Sequence, residues 1–318
     1  MNQPHMHKDT LKESIARQRV NLIAMLKDPL HNVYEACLQA WGDREQLNTA
    51  LIKNLEQVPF CKFLYVLDQN AIQISDNISH NGVIKKDYGR DRSQRPYIKN
   101  VVPSADFLLS EAYISLRAKR PSLTAIQVIR DDNGTMLGFI GADFDLRDLP
   151  LTSEHYEEPP VWRQIKGDPA IRKMVFEQHR EESRVDHHID DVIGILDELI
   201  IDNGVFQMLL HFSSNRAIIW TTDDPYRYRL LEIEALIDPN TCLAFPRLAY
   251  PQDATVPPSQ IRPILELMKK LRYLDETLYL RSCSLNICNG LVSLTFSCDG
   301  SHYLPYKEFL QKDASFWL

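Results

Sequence analysis

Apolar positions in the first sixty residues recur at steps of three and four, the spacing that lines one face of a helix. Leu11, Ile15, Leu22, Met25 and Leu26 predict one helix, and Leu30, Val33, Tyr34, Cys37, Leu38 and Trp41 a second, with Asp28-Pro29 marking its start. Leu47, Leu51, Leu55 and Val58 predict a third that stops before Pro59. The period then changes. Phe63–Leu67 and Ala71–Ile74 read as two strands around Asp68-Gln69-Asn70, and further strands are expected at Leu108–Leu116, Leu123–Ile129 and Met136–Phe144. Asp132-Asn133-Gly134 is a turn signal that joins the last two into a hairpin. Helices leading into about five antiparallel strands describe a one-sheet α+β domain.

Pro150 to Pro160 mixes proline with Glu154, Glu157 and Glu158 and reads as an exposed boundary, which divides the chain into residues 1–150 and 151–318. Downstream, helical spacing covers Asp168–Arg180, Ile189–Ile201 and Ile261–Leu274, with Asn203-Gly204 as a helix C-cap. Strands Val205–Phe212 and Ala217–Thr221 flank Ser213-Ser214-Asn215, and Leu278–Ile287 and Leu291–Ser297 flank Asn289-Gly290. The second half is therefore a second α+β domain.

The composition narrows the function classes. The chain has 318 residues, 44% hydrophobic and 25% charged, which is ordinary for a folded protein and excludes a disordered or rod-like one. A net charge of −7 argues against a dedicated nucleic-acid binder. Only 11 glycines are present, too few for a phosphate-cradling loop to be expected, and GxSxG, HExxH, GxxxxGK[ST] and GxGxxG do not occur. No cofactor, no metal and no catalytic residue is expected on these grounds, and the chain is read as a binding protein rather than an enzyme. The most apolar stretch, Val192–Ile201, carries Asp197 and Glu198 and is far shorter than the ~20 residues that span a bilayer. With no signal-like N-terminus either, a cytoplasmic protein without membrane contact is expected. The six cysteines lack CxxC pairs, so reduced thiols are expected, with Cys283, Cys288 and Cys298 buried in strands.

The most informative stretch is Tyr88-Gly89-Arg90-Asp91-Arg92-Ser93-Gln94-Arg95-Pro96-Tyr97, followed by Tyr113-Ile114-Ser115 and by Gly141-Ala142-Asp143-Phe144-Asp145. Together these resemble the Cache, or PDC, sensor domain, a PAS-like ligand sensor of bacterial chemoreceptors, histidine kinases and cyclic-dinucleotide enzymes. The resemblance covers about Ala50–Leu149 and the helix before it. It implies a long helix, a five-stranded antiparallel sheet, and a ligand held between the sheet and the Arg-Pro-aromatic loop. Arg95 would take the ligand carboxylate, as a planar fork of donors suits a bidentate acceptor. Tyr97 and Tyr113 would form walls, and Asp143 would hold an ammonium group. Arg90, Ser115 and Asp106 complete the candidates.

The departures matter as well. Arg90 stands where the amino-acid-binding pattern has Tyr, Ser115 where it has an acid, and Tyr97-Ile98 where it has Trp-Tyr. One anionic partner for an amine is thus missing, which tilts the expected ligand towards a small organic acid, with an amino acid as the other possibility. The resemblance also implies a homodimer through the N-terminal helices and an unidentified signalling partner. Each residue has a plainer alternative. Arg95 could be ion-paired within its charged loop, Asp143 could cap a turn, and the tyrosines could be core. Asp186-His187-His188-Ile189-Asp190-Asp191 has metal-like spacing but also suits a solvated helix start. Two rival readings stay open: an enzyme whose chemistry lies in the C-terminal half, drawing on His179, His187, His188, Asp190 and His211, or a scaffold whose Cache-like fold has lost its ligand.

Overall fold

The structure, a computed structural model, describes residues 9–99, 105–150, 152–153, 155–158, 179–298, 300–312 and 316–317. The chain divides into two compact units, residues 13–151 and residues up to 12 together with those from 152 onward. On the sequence, residues 1–12 are expected with the first half. Asp9 instead accepts a backbone hydrogen bond from Glu157 (2.9 Å), which ties it to the second unit.

The first unit begins with α1 (Leu11–Gln39), a single helix of 29 residues where two were expected, with Pro29 inside it. An interior proline costs a helix about 3 kcal/mol. The buried stripe of Leu22, Leu26, Leu30, Val33 and Cys37 runs straight past it, and full burial of each such side chain contributes roughly 1.5–3 kcal/mol. Continuity of the apolar face therefore outweighs the proline. Next comes α2 (Arg44–Asn54), capped by Asp43 Oδ1, which accepts from the amides of Glu45 and Gln46 at 2.9 and 3.0 Å.

Seven antiparallel strands follow: β1 (Phe63–Asp68), β2 (Asn77–Ser79), β3 (Gly82–Ile84), β4 (Phe107–Leu109), β5 (Tyr113–Ile114), β6 (Pro121–Arg130) and β7 (Met136–Asp145). Their order is β3-β2-β1-β7-β6-β4, with β5 also on β6. Two expected strands come out differently. Leu108–Leu116 splits into β4 and β5 because Ser110 Oγ accepts the Thr124 amide (3.0 Å) in place of a backbone carbonyl. Ala71–Ile74 runs back along β1 with a single isolated bridge, Gln73 to Leu67, and the strand proper starts at Asn77. The β6–β7 hairpin forms as expected around Gly134 at φ +79°. Register places Tyr65 opposite Gly141, Leu67 opposite Phe139 and Thr124 opposite Asp143. Strand alternation then puts Tyr65, Leu67, Ile126, Val128 and Phe139 on one face, where they bury with Ala71 and Tyr97. These last two come from the segment between β1 and β4, which includes the short helix α3 (Pro96–Lys99).

The second unit is also α+β. It holds α4 (Arg184–His187), α5 (Ile189–Asp202), β8 (Val205–His211), β9 (Arg216–Thr221), β10 (Asp224–Glu232), α6 (Ile233–Leu236), α7 (Pro258–Arg272), β11 (Leu280–Asn286), β12 (Leu291–Phe296), β13 (Ser301–Pro305) and α8 (Tyr306–Gln311). The six strands form one antiparallel sheet in the order β10-β9-β8-β11-β12-β13. Both outermost strands, β10 and β13, were not expected. The helix expected over Asp168–Arg180 lies outside the described residues apart from His179 and Arg180. No described helix is long and apolar enough to cross a membrane. Cys283 is buried, whereas Cys288 and Cys298 are exposed, because both follow the ends of their strands rather than lying within them.

Among the described residues, the ion pair of Arg272 and Asp186 sits wholly inside this unit. Arg272 and Asp186 are 0% and 1% exposed at their side chains, with Nε on Oδ1 at 2.8 Å and Nη2 on Oδ2 at 2.7 Å. Arg272 also donates to the carbonyls of Leu280 (3.0 Å) and Glu181 (3.2 Å), so its charge is paired and most of its N–H groups have acceptors. Removing one partner strands the other. We predict that Arg272→Met alone lowers stability by about 3–5 kcal/mol, whereas Arg272→Met combined with Asp186→Leu recovers most of the loss. Urea unfolding of the two variants measures this, and equal losses in both would contradict it.

Candidate ligand-binding site

The segment between β1 and β4 folds back because Asp68 makes a tight turn, its Oδ1 accepting the amides of Asn70 (2.9 Å) and Ile72 (2.8 Å). Ala71 takes φ +62° to complete the reversal. Ile74 then bonds Val66 O (2.9 Å), and Gln73 exchanges backbone bonds with Gly89 and Arg90. The far end is held to α2, where Asp76 accepts from Arg44 (2.5 Å) and Asn48 (2.8 Å). The result is a flap whose inner surface faces the sheet.

Arg92 is the centre of that surface. It is 7% exposed and donates through Nε and Nη2 to Gln73 Oε1 (2.9 and 2.7 Å) and through Nη1 to the Tyr97 hydroxyl (3.1 Å). Its guanidinium lies 3.9 Å from the centroid of the Tyr65 ring. Tyr65 in turn donates to Asp143 Oδ1 (3.0 Å), as does Thr124 Oγ1 (2.8 Å). Since the Thr124 hydrogen is committed to Asp143, the Tyr113 hydroxyl, 2.7 Å from Thr124 Oγ1, must be the donor in that pair. Gly141 makes the arrangement possible. A Cβ there would lie 2.3 Å from the Tyr65 ring, so only glycine lets that ring lie flat across β7 towards Asp143. Burial pushes the Asp143 carboxyl above the usual carboxylate range, against the pull of Arg92, Thr124 and Tyr65. Burial likewise pushes the Tyr65 and Tyr113 hydroxyls up, with Asp143 adding to it.

Above Asp143 opens a cleft of about 250 Å³. Its volume lies just below the ~300–1,000 Å³ of drug-sized ligand sites, so it suits a small metabolite rather than a nucleotide. Lys62, Arg90, Arg92, Arg95 and Arg117 line it, against Asp143 and Asp145. The cleft is thus cationic in a protein that is acidic overall. Arg95 precedes α3, whose first residue, Pro96, is preset for a helix start, and its guanidinium lies 5.4 Å from the Tyr113 ring centroid and 5.6 Å from that of Tyr97.

Of the residues singled out from sequence, Arg95, Tyr113, Ser115, Asp143 and Arg90 come together around this cleft. Asp143 sits mid-strand and caps no turn. Tyr97 is fully buried in the core beneath the cleft and meets it through Arg92, Arg95 and Tyr113, which line it. Ser115 lines the cleft while its Oγ accepts the Ala118 amide (3.3 Å), so it also shapes the turn after β5. Asp106 lies elsewhere, exposed at the start of β4 and 3.5 Å from Arg130 Nε. Sequence reasoning missed Arg92, Arg117, Lys62 and Phe63. For Arg92 the available signal was its place three residues before Arg95, which puts both on one loop.

The metal-like cluster disperses. Asp186 belongs to Arg272, His187 lies 3.7 Å from Glu182, and His188 lies 3.6 Å from Asp191. Among the described residues no three His, Cys, Asp or Glu side chains converge as a metal site.

No family model matches the chain. A citrate (Re)-synthase of Syntrophus aciditrophicus (strain SB) is 29% identical over 109 residues, which is 33% of this chain, and the chain spans only 17% of that relative. Among solved structures, an extracellular ligand binding receptor from Desulfohalobium retbaense DSM5692 superposes with a TM-score of 0.34 and 12% identity, covering 43% of this chain and 25% of its own. The ligand-binding domain of the Campylobacter jejuni chemoreceptor Tlp3, in complex with L-norvaline, gives a TM-score of 0.32 and 12% identity over 42% of this chain and 58% of its own. These matches carry no argument about function at such scores, and the cleft is read from its own side chains.

Proposed function

We propose that residues 13–151 form a sensor domain that binds a small carboxylate, either an organic acid or an amino acid, in the cleft over β7, and that its occupancy is relayed to a partner protein. The observation that carries this reading is charge. Arg92 is buried and Arg95 half-buried, and among the described residues neither has a carboxylate within ion-pair distance. A buried cation served only by neutral acceptors is costly, and an anionic ligand relieves that cost. Arg95 supplies a fork of donors for the carboxylate, while the Tyr113 hydroxyl oxygen and Asp143 can accept from an ammonium group when the ligand has one.

Binding acts by favouring one of two pre-existing states of the flap, by no more than its differential affinity for them. Self-association through α1 is part of the proposal, supported by the exposed Val20 and Ile23 on that helix. The competing location for chemistry, the C-terminal half, has its histidines in separate pairings: His187 and His188 pair with separate acids, and His211 lies on β8 where burial, helped by Arg281, pushes its pKa down.

Two outcomes test the reading. A thermal-shift screen against amino acids, monocarboxylates, dicarboxylates and citrate, the last because the curated relative is named for it, should show stabilisation by at least one acid. A ligand at ~100 times its dissociation constant adds about 2.7 kcal/mol. Arg95→Ala should weaken that acid by ~10–150-fold, the worth of a charge-assisted hydrogen bond of about 1.5–3 kcal/mol, and undiminished binding would remove Arg95 from the site. The second outcome is a pH dependence. Because the Asp143 pKa is raised, the proton is held more tightly in the folded protein. Protonation as pH falls through that raised pKa removes a like charge facing an organic acid, so such an acid binds more tightly as the pH is lowered from neutral, by at most about tenfold per unit. An amino acid, whose ammonium needs the ionised form, shows the opposite slope. Asp143→Asn flattens either profile, and a slope that persists in this variant would assign the titration elsewhere.

A further inference from the structure

The mouth of the cleft contains a second cationic group that the single carboxylate of the proposed function does not use. Asp87 is buried, its Oδ2 accepting from Asn77 Nδ2 (2.9 Å) and Arg117 Nη2 (3.1 Å), and its Oδ1 lying 3.4 Å from Arg90 Nη1. One carboxylate thus holds two half-exposed guanidiniums, which leaves one positive charge in excess where both line the cleft. Arg117 touches Asp87 only through Nη2, so its Nε and Nη1 hydrogens have no acceptor among the described residues. Its guanidinium lies 5.4 Å from the centroid of the Phe63 ring, and Phe63 sits directly opposite Asp143 in the β1–β7 register. Directly opposed strand residues have Cα atoms about 4.5–5.5 Å apart, so Phe63 links Arg117 to the strand pair that carries Asp143.

We infer that Arg117, assisted by Arg90, reads a second acidic group, and that the ligand is a small dicarboxylate. The inference rests on the carboxylate reading above and adds to it a specificity residue. Asp87 plays the positioning part, holding both guanidiniums at the mouth without neutralising both.

The test is isothermal titration of the full chain with the dicarboxylates from malonate to adipate and with monocarboxylates of matching carbon number. The best dicarboxylate should bind wild type at least tenfold more tightly than its monocarboxylate counterpart. Arg117→Gln should reduce that ratio to within about threefold by weakening the dicarboxylate far more than the monocarboxylate, and Arg117→Lys should retain part of the preference. Equal binding of matched acids by wild type overturns the inference and leaves the carboxylate reading standing. So does a variant that weakens both acids alike at unchanged melting temperature, because Arg117 would then only shape the pocket. Should Arg117→Gln lower the melting temperature, the comparison passes to Arg117→Lys, and a matched-acid ratio unchanged from wild type in both variants overturns the inference. Failure of every acid to bind wild type overturns the carboxylate reading, and this inference with it.

Discussion

Arg92 is a guanidinium taken almost wholly out of water, and the segment between β1 and β4 is folded around the need to keep it there. Gln73 supplies two of its acceptor contacts, Tyr97 a third, and Tyr65 a ring face. Each comes from a different place: the return run after β1, helix α3, and β1 itself. Three pieces of chain are thus held in register by one side chain. A buried charge enforces this more strictly than an apolar group of the same size, since each missing acceptor leaves a charged donor unsatisfied. Asp143 is the other pole of the same field. It collects the hydroxyls of Tyr65 and Thr124 on one oxygen, and Thr124 is backed by Tyr113.

The cleft follows from these constraints. With Tyr97 drawn under the flap by Arg92 and with Arg95 placed at the start of α3, the space above β7 is walled by polar tips over apolar bodies. The two units solve their buried charges differently. In the second unit Arg272 and Asp186 neutralise one another completely and leave no room for a third party. In the first, two arginines lie near one raised carboxyl without pairing with it, and both line a cleft. The first arrangement stabilises a fold, whereas the second is suited to receiving a ligand.

Much of the architecture was legible from periodicity. The β6–β7 hairpin, the β8–β9 and β11–β12 hairpins and helix α5 follow from alternation and turn residues alone. What was not legible has physical reasons. Pro29 reads as a boundary because local chemistry disfavours it in a helix, but the apolar stripe on both sides overrides it. Strand β10 is Asp-Pro-Tyr-Arg-Tyr-Arg-Leu-Leu-Glu, too polar in its first half to look like a strand, because an edge strand exposes most of its side chains. At the site, Arg95 stood out by its place before Pro96. Arg92 looked like one more charge in a charged run, because burial of a loop arginine depends on Gln73, Tyr97 and Tyr65, which no spacing rule connects. Arg117 was hidden in the same way, since Asp87 lies thirty residues before it.

The order in which these contacts close during folding is unequal. Thr124 and Asp143 lie 19 residues apart on one hairpin, whereas Tyr65 is 78 residues from Asp143. Loop-closure entropy grows with the logarithm of separation, so the second closure costs roughly 1 kcal/mol more. Half of the cleft floor is therefore local structure that a hairpin can form in microseconds, and the half that carries the cation arrives with the docking of β1. A nascent β6–β7 hairpin accordingly carries its acid before it meets its arginine.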